Sequence, residues 1–255
     1  LQVSSGGSAA TRSLALEVKQ DGGGGGGGGG GSGVSMAHYG LNEISGETTP
    51  DLSGNSLHAT VHGNPGIVPG VKGSALQLDG IDDWVSTEDH APEAFSVMDF
   101  TLSFWFRTSN PSQQHLVQST DGSGYGQANF GGAAIRTTDD LEAGYRPRAN
   151  GPKCEIHARD LDLADGEWHH FVIRRDADEG GTLFMDGEAT GSCEEPDPGI
   201  TLVPQSFLRF GYGVYDPKSY ESYFQGFLDD IRVYGEALSD AEISGLCDVP
   251  SVCGG

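Results

Sequence analysis

The chain has 255 residues, 36% of them hydrophobic, and sets 14 Lys and Arg against 37 Asp and Glu for a formal net charge of −23. A surface of that sign repels phosphate backbones and anionic lipid, which argues against nucleic acid and membranes as partners, and no apolar run is long enough to cross a bilayer. The 41 glycines favour many short strands and turns over long helices.

The chain begins at Leu1 without a basic and apolar leader pattern and reads as a mature piece of a larger multidomain protein. In residues 1–21, Leu14, Leu16 and Val18 alternate with Ser13, Ala15 and Glu17. That is the period of a half-buried strand; it resembles the last strand of an immunoglobulin-like repeat, and a plain tail is the alternative. Residues 22–33 open with the glycine run Gly22 to Gly31, a flexible linker with nothing to bury. No Gly-Lys-Ser/Thr follows, so it is not a phosphate-binding loop.

Residues 34–246 read as one domain. Alternating or apolar runs predict strands at Ala75–Leu78, Asp83–Ser86, Phe100–Thr108, Leu141–Tyr145, Trp168–Arg175, Gly181–Met185, Phe207–Gly211 and Phe224–Tyr234. Turn pairs such as Asp79-Gly80 and Asp186-Gly187 separate them. Ser239-Asp-Ala-Glu242 is a capping box and predicts one short helix from Asp240 to about Leu246. The fold class is therefore all-β, an antiparallel two-sheet sandwich with one short C-terminal helix, followed by a cysteine-containing tail at 247–255.

Four cysteines, Cys154, Cys193, Cys247 and Cys253, form no CxxC and no zinc-ligand spacing with histidine. An even count fits an oxidising compartment, extracellular or at the cell surface. Three pairings are possible. Cys154–Cys193 is preferred because each lies near the end of an expected strand, which leaves Cys247–Cys253 as a local loop.

The segments Asp51-Leu-Ser-Gly-Asn55, Pro69 through Asp79-Gly80 to Trp84-Val85, Phe100 to Phe106, Asp165-Gly-Glu-Trp-His-His-Phe171, Leu183-Phe-Met-Asp-Gly187 and Gly226 to Ser239 together resemble the laminin-G-like jelly-roll family. That family shares its fold with legume lectins, pentraxins and glucanases. The resemblance implies a jelly-roll sandwich, and a calcium ion at the sandwich edge is frequent among such modules.

Strand alternation then assigns faces. Leu102, Phe104 and Phe106 point to the core, and Thr101, Ser103, Trp105 and Arg107 point away from it. Val85 points inward and Trp84 outward. Trp84 and Trp105 are candidate platforms for a sugar ring, with Arg107 beside the latter, unless the tryptophans only cover the sheet. Asp229 shares a face with Ile231 and Val233, which would turn a carboxylate towards the core and require a cation or backbone donors there. A Ca²⁺ site from Asp51, Asn55 and Asp229, with Asp79 as a further oxygen donor, is expected where the first strand, around Met36–Tyr39, meets the last. Turn-forming roles for Asp51 and Asn55, with backbone amides on Asp229, are the alternative.

Enzyme signatures are missing. There is no GxSxG or HExxH, Asp121-Gly-Ser-Gly124 resembles a protease loop only superficially, and Glu195-Pro-Asp197 begins a glucanase-type carboxylate motif without completing it. His58 and His62 fall on a strand and turn that do not pair them, and His169 and His170 read as packed strand residues. The sequence thus predicts a non-catalytic binding module for a carbohydrate or glycoprotein, stabilised by calcium. A structural or protein–protein adhesion domain is the alternative, and a divergent glycoside hydrolase a third.

Overall fold

The computed structural model describes residues 33–88, 99–120, 132–137, 139–145, 153–195, 207–214 and 221–253. The readings made for residues 1–32, for Asp121-Gly-Ser-Gly124 and for Asp197 lie outside them.

Six short strands come first: β1 (Ala37–Tyr39), β2 (Thr48–Thr49), β3 (Ala59–His62), β4 (Gly66–Pro69), β5 (Ser74–Asp79) and β6 (Trp84–Ser86). The middle of the chain forms β7 (Phe100–Arg107), β8 (Gln114–Thr120), β9 (Gly132–Thr137), β10 (Asp140–Tyr145), β11 (Cys154–Arg159) and β12 (Trp168–Asp176). There follow β13 (Gly180–Met185), β14 (Glu188–Cys193), β15 (Phe207–Phe210), β16 (Tyr212–Val214), β17 (Glu221–Tyr223) and β18 (Gln225–Tyr234). Two helices come last, α1 (Asp240–Leu246) and α2 (Pro250–Cys253).

The strands build two eight-stranded antiparallel sheets. The first runs β14-β13-β12-β7-β18-β5-β4 with β1 also on β18, and the second runs β11-β10-β9-β8-β15-β6-β3-β2; β16 and β17 form a separate ribbon. Between the sheets lie Leu102, Phe104 and Phe106 of β7, Phe171 and Ile173 of β12, Leu228 of β18 and Phe210 of β15, all buried. Phe104 stacks on Phe171 within the first sheet, 4.7 Å between ring centroids, and meets Phe210 of the second edge-on at 6.0 Å. Aromatic pairs of this kind add about 0.5–1.5 kcal/mol beyond the burial of their area.

Asp186 and Gly187 both take positive φ, 54° and 87°, which makes the two-residue hairpin that an Asp-Gly pair favours between β13 and β14. The capping box forms as the sequence predicts. The Ser239 side chain accepts the Glu242 amide hydrogen, and the Glu242 side chain accepts that of Ser239. The helix buries Ile243 and Leu246 with Val172, Phe184, Tyr234 and Leu238 on the outer face of the first sheet. The second helix, α2, corrects the expectation of a single one: the Cys247–Cys253 disulfide closes one short turn on itself.

The expected alternation fails in β18. A β-bulge shifts the register against β7 between Asp229 and Arg232, and Asp230 takes φ 46°. An extra residue in one strand reverses the facing of everything after it. Leu228 therefore joins Ile231 and Val233 in the core, while Asp229 pairs with Trp105 on the outer face. The expectation that Asp229 shares a face with Ile231 and Val233 is overturned by this one inserted residue.

Disulfide Cys154–Cys193 joins β11, at the edge of the second sheet, to β14, at the edge of the first. Its sequence separation of 39 corresponds to about 4 kcal/mol of loop-closure entropy removed from the unfolded chain. Replacing both cysteines by serine should lower unfolding free energy by roughly 3–4 kcal/mol in urea titrations, whereas the same change at Cys247 and Cys253, which close a shorter loop, should cost clearly less.

Candidate ligand-binding faces

The residues expected to bind ligand part company in the fold. Trp84 stands on the second sheet and Trp105 with Arg107 on the first, each on an outer face, so one ligand cannot bridge them.

Trp105 is 0% exposed, which corrects its reading as a sugar platform. Its cross-strand neighbours are His170 on one side and Asp229 on the other, and its ring lies 4.7 Å from that of His170. The β4–β5 turn closes over this row: Lys72 donates its backbone N–H to Asp229 Oδ2 at 2.8 Å. Trp105 Nε1, His170 Nδ1 and Asp229 Oδ1 are buried without a hydrogen-bond partner among the described residues. Burial pushes the Asp229 carboxyl up to about 6, against the pull of the Lys72, Val71 and Asp230 amides. Burial also pushes His170 down to about 4, partly opposed by Asp186 and Asp230. Ser103 and His170 Nε2 are 2.8 Å apart, but both side chains are buried and no substrate reaches this pair.

The expected calcium ligands do not converge. Both carboxylate oxygens of Asp51 are taken: Oδ1 accepts the His38 and Ser53 amides, and Oδ2 the Ser53 hydroxyl and the Leu57 amide, at 2.8–3.0 Å. These donors aim protons at the oxygens a cation would need, and hold the Asp51 carboxyl below its ordinary value despite its burial. Asn55 spends its amide on the Met36 carbonyl at 2.9 Å. Asp229 is tied to the β4–β5 turn instead. The first strand does lie beside the last, with Ala37 opposite Val233, but the carboxylate there belongs to Asp230, which pairs with His38 at 2.7 Å and with Arg232. Asp79, Asp82 and Asp83 do bring carboxylate oxygens within 4.8 Å of one another. Yet Asp79 accepts the Ile81 amide, and Asp83 those of Asn64 and Asp79. Asp79 and Asp83 are thus turn-closing acids, and Asp51, Asn55 and Asp229, each engaged by other groups of the protein, do not fit a shared calcium site at the sandwich edge.

What remains open is aromatic. On the second sheet Trp84 is half-exposed, as its outward assignment requires. The His62 ring stacks on it at 3.6 Å and 5° between planes. Arg209 lies over it at 5.3 Å, Tyr212 adjoins at 5.2 Å, and Tyr223 continues the row 4.9 Å beyond. Glu221 accepts the Tyr212 hydroxyl at 3.2 Å. This row draws on β3, β6, β15 and the β16–β17 ribbon. No local pattern announces it, since His62, Arg209 and Tyr223 are each unremarkable in sequence.

The Laminin_G_3 family model, described as the concanavalin A-like lectin/glucanases superfamily, matches residues 79–244. The chain belongs to that superfamily. Among solved structures, the superfamily module is similar in fold to the binding domain of Paraclostridial Mosquitocidal Protein 1, with a TM-score of 0.62 and 20% identity over 84% of this chain and 51% of that one. It is also similar to the binding domain of botulinum neurotoxin DC in complex with rat synaptotagmin II, with 0.59, 16%, 84% and 51%. A third is domain 4 of AbnA, an extracellular GH43 arabinanase from Geobacillus stearothermophilus, in complex with arabinotriose, with 0.59, 15%, 85% and 99%. The module thus spans about half the length of the two toxin domains. No curated protein sequence matches it significantly.

Because the superfamily name includes glucanases, carboxylate pairs matter. Glu142 and Glu155, with His157, gather their side-chain atoms within 4.8 Å on the outer face of the second sheet, a proximity invisible in sequence because it needs the β10–β11 pairing. Lys153 bonds Glu155 and holds its carboxyl below its ordinary value. Glu195, the first residue of the incomplete glucanase motif, is buried on Arg175 at 2.8 Å and accepts the Tyr145 hydroxyl.

Two outcomes are expected in solution. The melting temperature should respond neither to Ca²⁺ nor to EDTA, and a rise with Ca²⁺ after metal stripping would restore the metal site. Asp229 and His170 should pull pH dependence in opposite directions. Between pH 3.8 and 6 folded Asp229 holds a proton that the unfolded chain releases, so its contribution to stability falls as pH rises. Between pH 4 and 6.5 unfolded His170 takes up a proton that the folded state refuses, so its contribution rises. Asp229→Asn should therefore lose stability more steeply than the parent as pH falls from 6.5 to 4, and His170→Gln less steeply. Urea unfolding at several pH values reads the two slopes, and parallel slopes would overturn the assignment.

Proposed function

We propose that the protein is a non-catalytic extracellular module that binds a glycan or a glycosylated partner through the Trp84 row. One observation carries this: a tryptophan, two tyrosines, a histidine and an arginine share an outer face on which no helix rests among the described residues. By contrast, α1 and the β4–β5 turn cover much of the first sheet. Aromatic faces and edges suit the C–H surfaces of sugar rings, and the Arg209 guanidinium and the Glu221 carboxylate add polar groups beside them. The arabinotriose complex of the arabinanase domain and the toxin binding domains support a recognition role for this fold. Two disulfides favour an oxidising, extracellular setting.

Binding should be tested on a glycan array, then measured by titration calorimetry with the strongest hit. Trp84→Ala and Tyr223→Ala should each weaken it at least about tenfold, a loss of 1.4 kcal/mol or more, with circular dichroism unchanged. Undiminished binding in both variants would place the ligand elsewhere. Hydrolysis of a polysaccharide, lost in Glu142→Gln, would instead revive the glycosidase reading.

A further inference from the structure

The outer face of the first sheet leaves one row uncovered. Trp168 of β12, Arg107 of β7, Phe227 of β18, Gln77 of β5 and Gly66 of β4 are successive register partners across five strands. The three central side chains, Trp168, Arg107 and Phe227, are half-exposed, and Gln77 and Gly66 are exposed. At the strand spacing of about 4.8 Å the row is about 19 Å long, the reach of a short oligosaccharide. The row next to it is the buried His170–Trp105–Asp229 set, which forms one wall.

Arg107 is the distinctive member. Its guanidinium lies 4.1 Å from the Phe227 ring centroid and 5.1 Å from that of Trp168, so it packs against both rings. Among the described residues Lys72 sits on Asp248, Lys153 on Glu155, Arg174 on Asp240, Arg175 on Glu195, Arg209 on Glu88 and Arg232 on Asp230, while Arg159, exposed at the end of β11, meets no carboxylate there. Arg107 meets no carboxylate among the described residues, although the protein carries 37 acidic side chains. A planar fork packed against aromatic walls, with no carboxylate partner among the described residues, is suited to a carboxylate, which it can meet with two parallel hydrogen bonds. The walls suit a sugar ring, and Gln77 adds an amide for its hydroxyls.

We propose that this row is a second saccharide site, selective for a sugar acid whose carboxylate seats on Arg107. The site rests on the reading of the protein as a glycan-binding module but lies on the opposite sheet from Trp84, so the two can fail separately. Hexuronate chains are the ligand class that supplies a planar carboxylate on a pyranose ring.

Trigalacturonate and its fully methyl-esterified form are suitable probes, titrated calorimetrically at low and physiological ionic strength with Trp168 fluorescence as a second readout. The acid should bind at least about tenfold tighter than the ester, as expected for a charge-assisted bidentate pair. Arg107→Gln should abolish that preference, and Arg107→Lys, which keeps the charge but not the fork, should lose most of it. Trp84→Ala should leave it intact. Equal binding of acid and ester, an unchanged preference in Arg107→Gln, loss of acid binding in Trp84→Ala alone, or no binding of either probe at millimolar concentration would each overturn the proposal. Because Arg107 is half-exposed, an unchanged melting temperature in the variants confirms that the fold is retained.

Discussion

The bulge in β18 is the constraint on which the arrangement depends. Up to Leu228 this strand lies between β7 and β5, and from Ile231 it lies between β7 and β1. The change of neighbour occurs across Asp229 and Asp230, where the bulge begins. A regular strand would have put either Leu228 or the pair Ile231 and Val233 on the wrong face. The bulge keeps all three in the core and turns the two carboxylates away from it, one beneath the β4–β5 turn and the other against His38 and Arg232. The positive φ of Asp230 is the local backbone cost, and the hydrogen bonds and ion pairs of that residue hold it.

The same row accounts for the burial of Trp105. A tryptophan on an outer face is normally a candidate for recognition. Here the turn that caps Asp229 and the imidazole of His170 enclose it. A buried acid whose proton affinity is raised and a buried imidazole whose proton affinity is lowered then stand on either side of one indole. Their opposed titrations leave the row nearly neutral across mildly acidic pH.

The surfaces proposed for recognition lie where the covering elements do not reach. On the second sheet this is the Trp84 row, and on the first it is the end of the face beyond Trp105. Both are assembled across strands far apart in the chain, and in both an arginine is packed on aromatic rings rather than buried in the core. The acidic surface around them keeps polyanions without a specific fork at a distance.

The sequence by itself determined the sandwich, its main strands, the capping box and the Asp-Gly hairpin, each of which follows from local periodicity or turn chemistry acting over a few residues. It preferred the Cys154–Cys193 link among three possible pairings, and the fold decided it. It also placed Trp84 outward and Leu102, Phe104 and Phe106 inward, because strict alternation holds in β6 and β7. Tertiary structure decided the rest. Asp229 was misassigned because the alternation was extended through the three-residue step from Leu228 to Ile231, where the bulge lies. Asp51 looked like a metal ligand because sequence shows a carboxylate but not the four donors that fold around it. Trp105 and Arg107, two residues apart on the same strand face, have opposite fates because a turn from β4–β5 covers one and stops short of the other. Trp168 and Phe227, more than fifty residues apart, become neighbours of Arg107 only when β12 and β18 close on β7, since side chains on separate strands meet through hydrogen-bonded register and not through spacing in the chain.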